Sequence, residues 1–96
     1  MKSASVPRPL AEIILHAMHG EDGPHHEGWT QRITPAWYIV RQSAHYRLLH
    51  GRKSLGNIDL IEYQDHPDDE RARFLDITMA SGLVLSFPIR EPRGAQ

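Results

Sequence analysis

The sequence predicts an α+β fold in which two or three N-terminal helices pack on a three-stranded antiparallel β-meander. Apolar residues recur at helical spacing over residues 9–19 and again over residues 35–55. From residue 58 to residue 89 they alternate with polar residues instead, which is typical of strands that bury one face. This change of period divides the chain into a helical half and a sheet half.

The first helix is predicted near residues 9–19, because its apolar residues share one helical face: Leu10, Ile13, Ile14, Ala17 and Met18. Pro9 suits the first helical turn, and Gly20 suits the cap at the C-terminal end. A loop rich in turn residues follows at 20–28, and the "WTQRI" after it fits either a short strand or a helical turn.

The second helical region begins with Thr34 and Pro35, which suit an N-cap and the first helical position. Its apolar stripe consists of Trp37, Val40, Ala44, Leu48 and Leu55. Ser43 is able to cap a second segment. Residues 35–55 are therefore predicted to form either one long helix or two consecutive helices.

Three strand candidates follow, with the sequences "IDLIEY", "ARFLDITM" and "LVLSFPI". The first two are joined by "QDHPDDER", whose proline and acidic residues suit a solvated loop. The short "ASG" segment suits a tight hairpin between the last two. Pro88 has no N–H to donate to a neighbour, so the strand at 83–89 is expected at an edge of the sheet.

Charge is distributed unevenly along a chain whose net charge is −1. Residues 41–53 carry four positive side chains and no negative one. Residues 59–70 carry six negative side chains and no positive one. Such a distribution presents a basic face although the net charge is small.

The 96 residues suffice for one domain, so we expect a flexible arm at 1–8, the domain at 9–90 and a tail at 91–96. The chain contains no cysteine, which excludes disulfides and thiolate metal sites. It shows no apolar stretch of membrane-spanning length and no signal peptide. A cytoplasmic location without membrane contact is therefore expected.

Helices followed by a hairpin with a charged tip are the element order of a winged helix. In that architecture the last helix enters the major groove of double-stranded DNA, and the hairpin, or wing, reaches the backbone or the minor groove. Such an interface needs basic and hydrogen-bonding side chains on the helix and arginines near the wing tip. The candidates are Arg41, Ser43, His45, Tyr46, Arg47, Arg52 and Lys53 in the helical region, with Arg71 and Arg73 beside the tip.

The segment "LIEYQDHPDDERARFLDIT", residues 60–78, resembles the wing of the MarR-type winged-helix transcription regulators. That wing runs from Leu-Ile/Val-Glu through an acidic turn and Asp-x-Arg to a strand, Leu-Thr and a glycine. Leu-Ile-Glu opens the segment, Asp-Glu-Arg stands at 69–71, Ile-Thr closes it, and Gly82 follows one residue late. The resemblance implies a helix-turn-helix regulator of transcription in which Arg71 approaches DNA and Asp69 orients it.

A single domain of this size covers little DNA, so a homodimer is expected, formed through the exposed strand at 83–89. Each of these features also has a plainer interpretation. The basic run fits an ordinary solvated surface, and Arg71 and Arg73 fit the solvent face of a strand, paired with Asp59 or Glu62. The alternative function is a small protein-interaction module, an inhibitor or adaptor, that uses the acidic loop or the edge strand to bind a protein partner.

Seven histidines are many for this length. His16 and His19 stand three residues apart on the first helix, and two more follow at 25–26. No glutamate or cysteine completes a metal-binding motif with them, so neither a metal nor another cofactor is predicted. Nucleophile elbows, phosphate loops and dinucleotide fingerprints are also missing from the sequence, and no enzymatic activity is predicted.

Overall fold

The computed structural model describes residues 5–20, 25–66 and 69–90, and the side chains of all of these except 65–66 and 69–72. This part of the chain forms one helix and a single seven-stranded sheet. The elements are β1 (Val6–Pro7), α1 (Arg8–His19), β2 (Thr30–Arg32), β3 (Trp37–Gln42), β4 (His45–His50), β5 (Lys53–His66), β6 (Asp69–Met79) and β7 (Val84–Arg90).

The strands β2 to β7 form a continuous antiparallel meander, in which each strand pairs with the next one along the chain. The two-residue β1 adds to the far side of β7 in parallel, with Val6 opposite Ile89. The edge of the sheet is therefore the short strand β1, and β7, which was expected at the edge because of Pro88, is the next strand. The predicted meander "IDLIEY", "ARFLDITM" and "LVLSFPI" is confirmed as parts of β5, β6 and β7.

The sheet curls around its own core. The ring centroids of Trp37 on β3 and Phe87 on β7 lie 5.5 Å apart, although three strands separate β3 from β7 in the sheet. Because side chains alternate between the two faces of a strand, this curl gives the sheet a buried inner face and an outer face that no described element covers. The fully buried side chains include Ile14, Ile33, Ile39, Leu48, Ile61, Leu75, Ile77 and Met79.

Helix α1 covers the inner face. Its predicted position near 9–19 is confirmed, with the start one residue earlier at Arg8. Ala11 and Ile14 are buried in the core, and the Nε2 of His19 lies 2.6 Å from the carbonyl oxygen of Ile61 on β5. The 12 residues of α1 are too few to cross a membrane, and no other helix occurs in the described ranges.

The prediction of two or three N-terminal helices in a winged-helix-like α+β fold is wrong. Residues 35–55 form the hairpin of β3 and β4 and the beginning of β5, so the recognition helix expected there is a pair of strands. The strand register buries Ile39 and Leu48 together and leaves Val40 on the outer face. The aromatic and β-branched run "WYIV" packs well in a sheet, and this burial outweighs the helical spacing of the stripe.

A two-residue turn at Ser43 and Ala44 makes the hairpin possible. Gln42 pairs with His45, and the two residues between them have φ angles of 54° and 66°. Positive φ at both central positions is the geometry of a type I′ turn, whose twist matches that of the flanking strands. The backbone N–H of Ser43 also donates to the carboxylate of Glu27, with both oxygens at 3.1 Å. Ser43 is thus a turn residue and not the helix cap expected from the sequence.

Candidate nucleic-acid interface

The strands distribute the predicted DNA-binding residues over two opposite faces. Direct partners in a ladder share a face, so Arg41 and Tyr46 lie on the inner face with the buried Leu48. Arg47, which stands between Tyr46 and Leu48, lies on the outer face. The recognition surface expected from a helix therefore does not form. Residues next to each other in a strand point to opposite faces of the sheet, whereas a helix brings residues three or four positions apart onto one face.

One half of the sheet is free of acidic side chains. Residues 28–58, which run from β2 into the first part of β5, contain five arginines and lysines and no aspartate or glutamate. Four of these cations define what we call the basic cluster: Arg32, Arg47, Arg52 and Lys53. Arg52 and Lys53 are exposed at the β4–β5 turn, and Arg32 is exposed on β2. A cluster of this kind attracts phosphate groups.

Tyr38 is at the centre of the basic cluster. It pairs with Arg32, whose guanidinium carbon lies 5.8 Å from the centroid of the Tyr38 ring. The Tyr38 hydroxyl donates to the carbonyl oxygen of Gly51 in the β4–β5 turn, at 2.9 Å. Arg32 also donates from Nη1 to the carbonyl oxygen of Pro35, at 2.6 Å. These contacts hold Arg32 and the turn in fixed positions while the remaining donors of the guanidinium stay available.

Arg47 has an unmet hydrogen-bonding group. Its Nε is buried and has no hydrogen-bond partner within the described part of the chain. Buried polar atoms are almost always hydrogen-bonded, so the unmet Nε makes Arg47 unusual among the described residues. Phosphate and carboxylate oxygens are the acceptors that an arginine fork fits best.

A second group of aromatic and basic side chains lies on the inner face of the β3–β4 hairpin, near its turn. His25 stacks on Trp29 with ring centroids 3.9 Å apart, and its Nδ1 lies 2.9 Å from the Tyr46 hydroxyl. The guanidinium of Arg41 lies over the Tyr46 ring, 4.9 Å from its centroid. These rings contact one another, so we interpret them as a packing cluster that anchors the loop after α1. Arg41 and Tyr46 are therefore not placed at the interface.

The other predicted residues are scattered. His45 is exposed on the outer face beside the Ser43 turn, close to the basic cluster. The side chains of Asp69 and Arg71, which the wing resemblance singled out, lie outside the described ones. Arg73 is opposite Asp65 and lines an inner-face groove with Arg8 and Tyr63, which excludes the solvent-face pairing with Asp59 or Glu62.

The outer face of β5, β6 and β7 carries acidic and apolar side chains, in contrast to the basic cluster. Glu62 is exposed there, and its direct partner Asp76 has a buried Oδ1 without a hydrogen-bond partner among the described residues. Leu60 and Val84 lie in the neighbouring row, on either side of Thr78, and are 42% and 51% exposed. This acidic and apolar half continues directly from the basic half.

Two clefts formed by described residues lie on the helix side. A groove of about 530 Å³ runs along the exposed flank of α1, lined by Ile13, Ala17 and His16, with His25 opposite. Within the ranges that the structure describes, no three His, Asp or Glu side chains are arranged to hold a metal ion. His16 shares its groove with Glu12 and His25 without forming such a group.

Sequence reasoning missed Arg32, Tyr38 and Asp76. Arg32 and Tyr38 come together through the β2–β3 pairing, and that pairing is invisible as long as residues 35–55 are read as helix. The signal that was present is the 31-residue stretch without an acidic residue, which extends well beyond the basic run at 41–53.

Comparison with protein families, with characterised proteins and with solved structures returns no match for this chain. The interpretation of its function therefore depends on the geometry and charge of the sheet alone.

Proposed function

We propose that the chain binds double-stranded DNA through the basic cluster, which consists of Arg32 and Arg47 on the outer face of the sheet and of Arg52 and Lys53 at the β4–β5 turn. The observation that carries the proposal is the stretch of residues 28–58, which contains no acidic residue and supplies all four cations of the basic cluster. DNA binding was first expected from a recognition helix, and here strands take the place of that helix. Strands also serve as DNA-binding elements in known sheet readers.

The contacts would be made to phosphates. Arginine and lysine side chains supply most contacts to the DNA backbone, and such contacts position a protein without reading sequence. Arg47 lies on the outer face, and Arg32 is held in place over the Tyr38 ring. This binding fits the role in transcription and the cytoplasmic location expected from the sequence, which remain part of the proposal.

The test is fluorescence anisotropy with a labelled mixed-sequence duplex at increasing salt. Four phosphate contacts correspond to a slope of about −3.6 in log K against log salt, which is roughly a 100-fold loss of affinity between about 50 and 200 mM. Arg32→Ala and Arg47→Ala should each make the slope shallower by about one.

Arg90→Ala is the matched control, because Arg90 is exposed, as Arg32 is, but lies at the end of β7, away from the basic cluster. Its salt slope should equal that of the unmodified protein. Absence of binding at the lowest salt, or equal effects of the Arg32, Arg47 and Arg90 substitutions, would overturn the proposal.

Protein interaction is the second candidate function, and the exposed Leu60 and Val84 beside Glu62 and Asp76 favour it. Apolar side chains rimmed by charge are typical of surfaces that bind proteins. The edge-strand version predicted from the sequence has less support, since β1 already pairs with the end of β7.

A further inference from the structure

The outer face carries two buried polar atoms of opposite kind. Arg47 Nε is a donor on β4, and Asp76 Oδ1 is an acceptor on β6; neither has a partner within the described residues. They do not meet within one chain, because Arg47 is opposite Asn57 and Asp76 is opposite Glu62 on the strand between them. The two side chains are thus roughly 16 Å apart along the strands and roughly 10 Å apart across them.

Leu60 lies between these two side chains. It is on β5, between Asn57 and Glu62, and therefore on the strand that separates Arg47 from Asp76. The outer face thus consists of a basic half and an acidic half, with the exposed Leu60 near its middle.

We propose that a second copy of this chain docks on the outer face, related to the first by a two-fold axis that passes near Leu60. A two-fold rotation exchanges the two halves of the face, so Arg47 of each copy meets Asp76 of the other. The same rotation places Leu60 of one copy next to Leu60 of its mate. Both charged halves and the exposed side chains of Leu60 and Val84 are covered in one arrangement.

Charge complementarity selects a second copy over other occupants. A purely basic partner would satisfy the acidic half and be repelled by Arg47 and the rest of the basic cluster. A purely acidic partner would be repelled by Glu62 and Asp76. A copy of this chain supplies both charges in the required positions. Since the sheet curls around its core, its outer face is convex and the contact is small. We expect a dissociation constant in the micromolar range, as in transient complexes.

Sedimentation velocity over micromolar to millimolar protein concentrations tests the proposal. Arg47→Asp and Asp76→Arg should each weaken the dimer at least about tenfold, because each places like charges in contact. The variant that carries both substitutions should regain an affinity within about threefold of the original, since the pair is restored with reversed sign. Leu60→Glu should abolish the dimer, because it places two carboxylates at the axis.

Ile13→Glu is the matched control. Ile13 is an aliphatic residue 55% exposed on α1, on the opposite side of the sheet, and its substitution should leave the dimer unchanged. The proposal is overturned if the protein is monomeric throughout, if Ile13→Glu acts like Leu60→Glu, or if the doubly substituted variant stays monomeric.

The proposal of a dimer is separate from the proposal of DNA binding and does not rest on it. A protein that stays monomeric but binds duplex refutes the dimer alone, and a protein that dimerises but binds no duplex at the lowest salt refutes DNA binding alone. The two proposals therefore fail separately. Because the dimer covers Arg47, it also competes with DNA for the same side chain.

Discussion

Ala44→Gly should stabilise the protein, although glycine in place of alanine usually destabilises. Ala44 has a φ of 66°, a left-handed conformation that costs an L-residue about 1–2 kcal/mol. Glycine removes this cost, but it also makes the unfolded chain more flexible, which offsets about 0.5–1 kcal/mol. The net gain in the free energy of unfolding is then between about 0 and 1.5 kcal/mol, with a midpoint of about 0.75 kcal/mol.

Thermal unfolding followed by circular dichroism measures this gain. For a domain of this size, 1 kcal/mol corresponds to a rise in Tm of about 4–8 °C. At the midpoint of the expected gain, the rise in Tm for Ala44→Gly is therefore about 3–6 °C. A parallel urea titration should show a higher midpoint with an unchanged slope, which indicates a change in stability without a change in the surface exposed on unfolding.

Ala80→Gly is the matched control in a second hairpin turn. Ala80 is exposed between β6 and β7, and its φ is not positive. The same substitution there brings only the entropic loss and should lower Tm. If Ala44→Gly also lowers Tm, the type I′ geometry assigned to the turn is refuted.

Two further predictions concern the packing of the helix and the core. Gly20→Ala should destabilise the fold by about 1 kcal/mol in a thermal melt, because its Cβ would lie 2.8 Å from the carbonyl oxygen of His16; a higher Tm would contradict this close approach. Leu48→Ala should lower the free energy of unfolding by about 2–5 kcal/mol in a urea titration, because Leu48 is fully buried on β4. A loss below 1 kcal/mol would show that residues 35–55 do not form the buried hairpin.

The elements that sequence reasoning predicted correctly are those with one unambiguous period. The stripe that includes Leu10 and Ile14 fits a helix and no other structure, and the alternation from Ile58 to Ile89 fits strands. In both segments the local pattern and the tertiary packing favour the same structure.

Residues 35–55 were predicted to be helical because their pattern fits more than one structure. Trp37, Val40 and Leu48 happen to follow helical spacing, and the turn that reverses the chain lacks the glycine or asparagine that announces a type I′ hairpin. Gly51 lies inside the predicted helical region, but it is a turn residue with a φ of 63°.

The candidate site could be predicted only in part for the same reason. The basic character of the region is a property of composition and was visible in the sequence. Which cations share a face depends on the secondary structure, so Arg41 and Arg47 were grouped although the strands place them on opposite faces. Arg32 and Asp76 enter the outer face through pairings between strands, which sequence periodicity does not record.

The pairing of β1 with β7 has a consequence for the order in which the chain folds. Val6 lies beside Ile89, so this contact closes almost the whole described chain into one loop. Helix α1 also makes contacts of high sequence separation, because it packs on β5 and β7. An isolated helix of 12 residues is marginal in water. On the ribosome β1 and α1 can therefore complete their packing only after β7 has emerged. Contacts of such high sequence separation make folding slow.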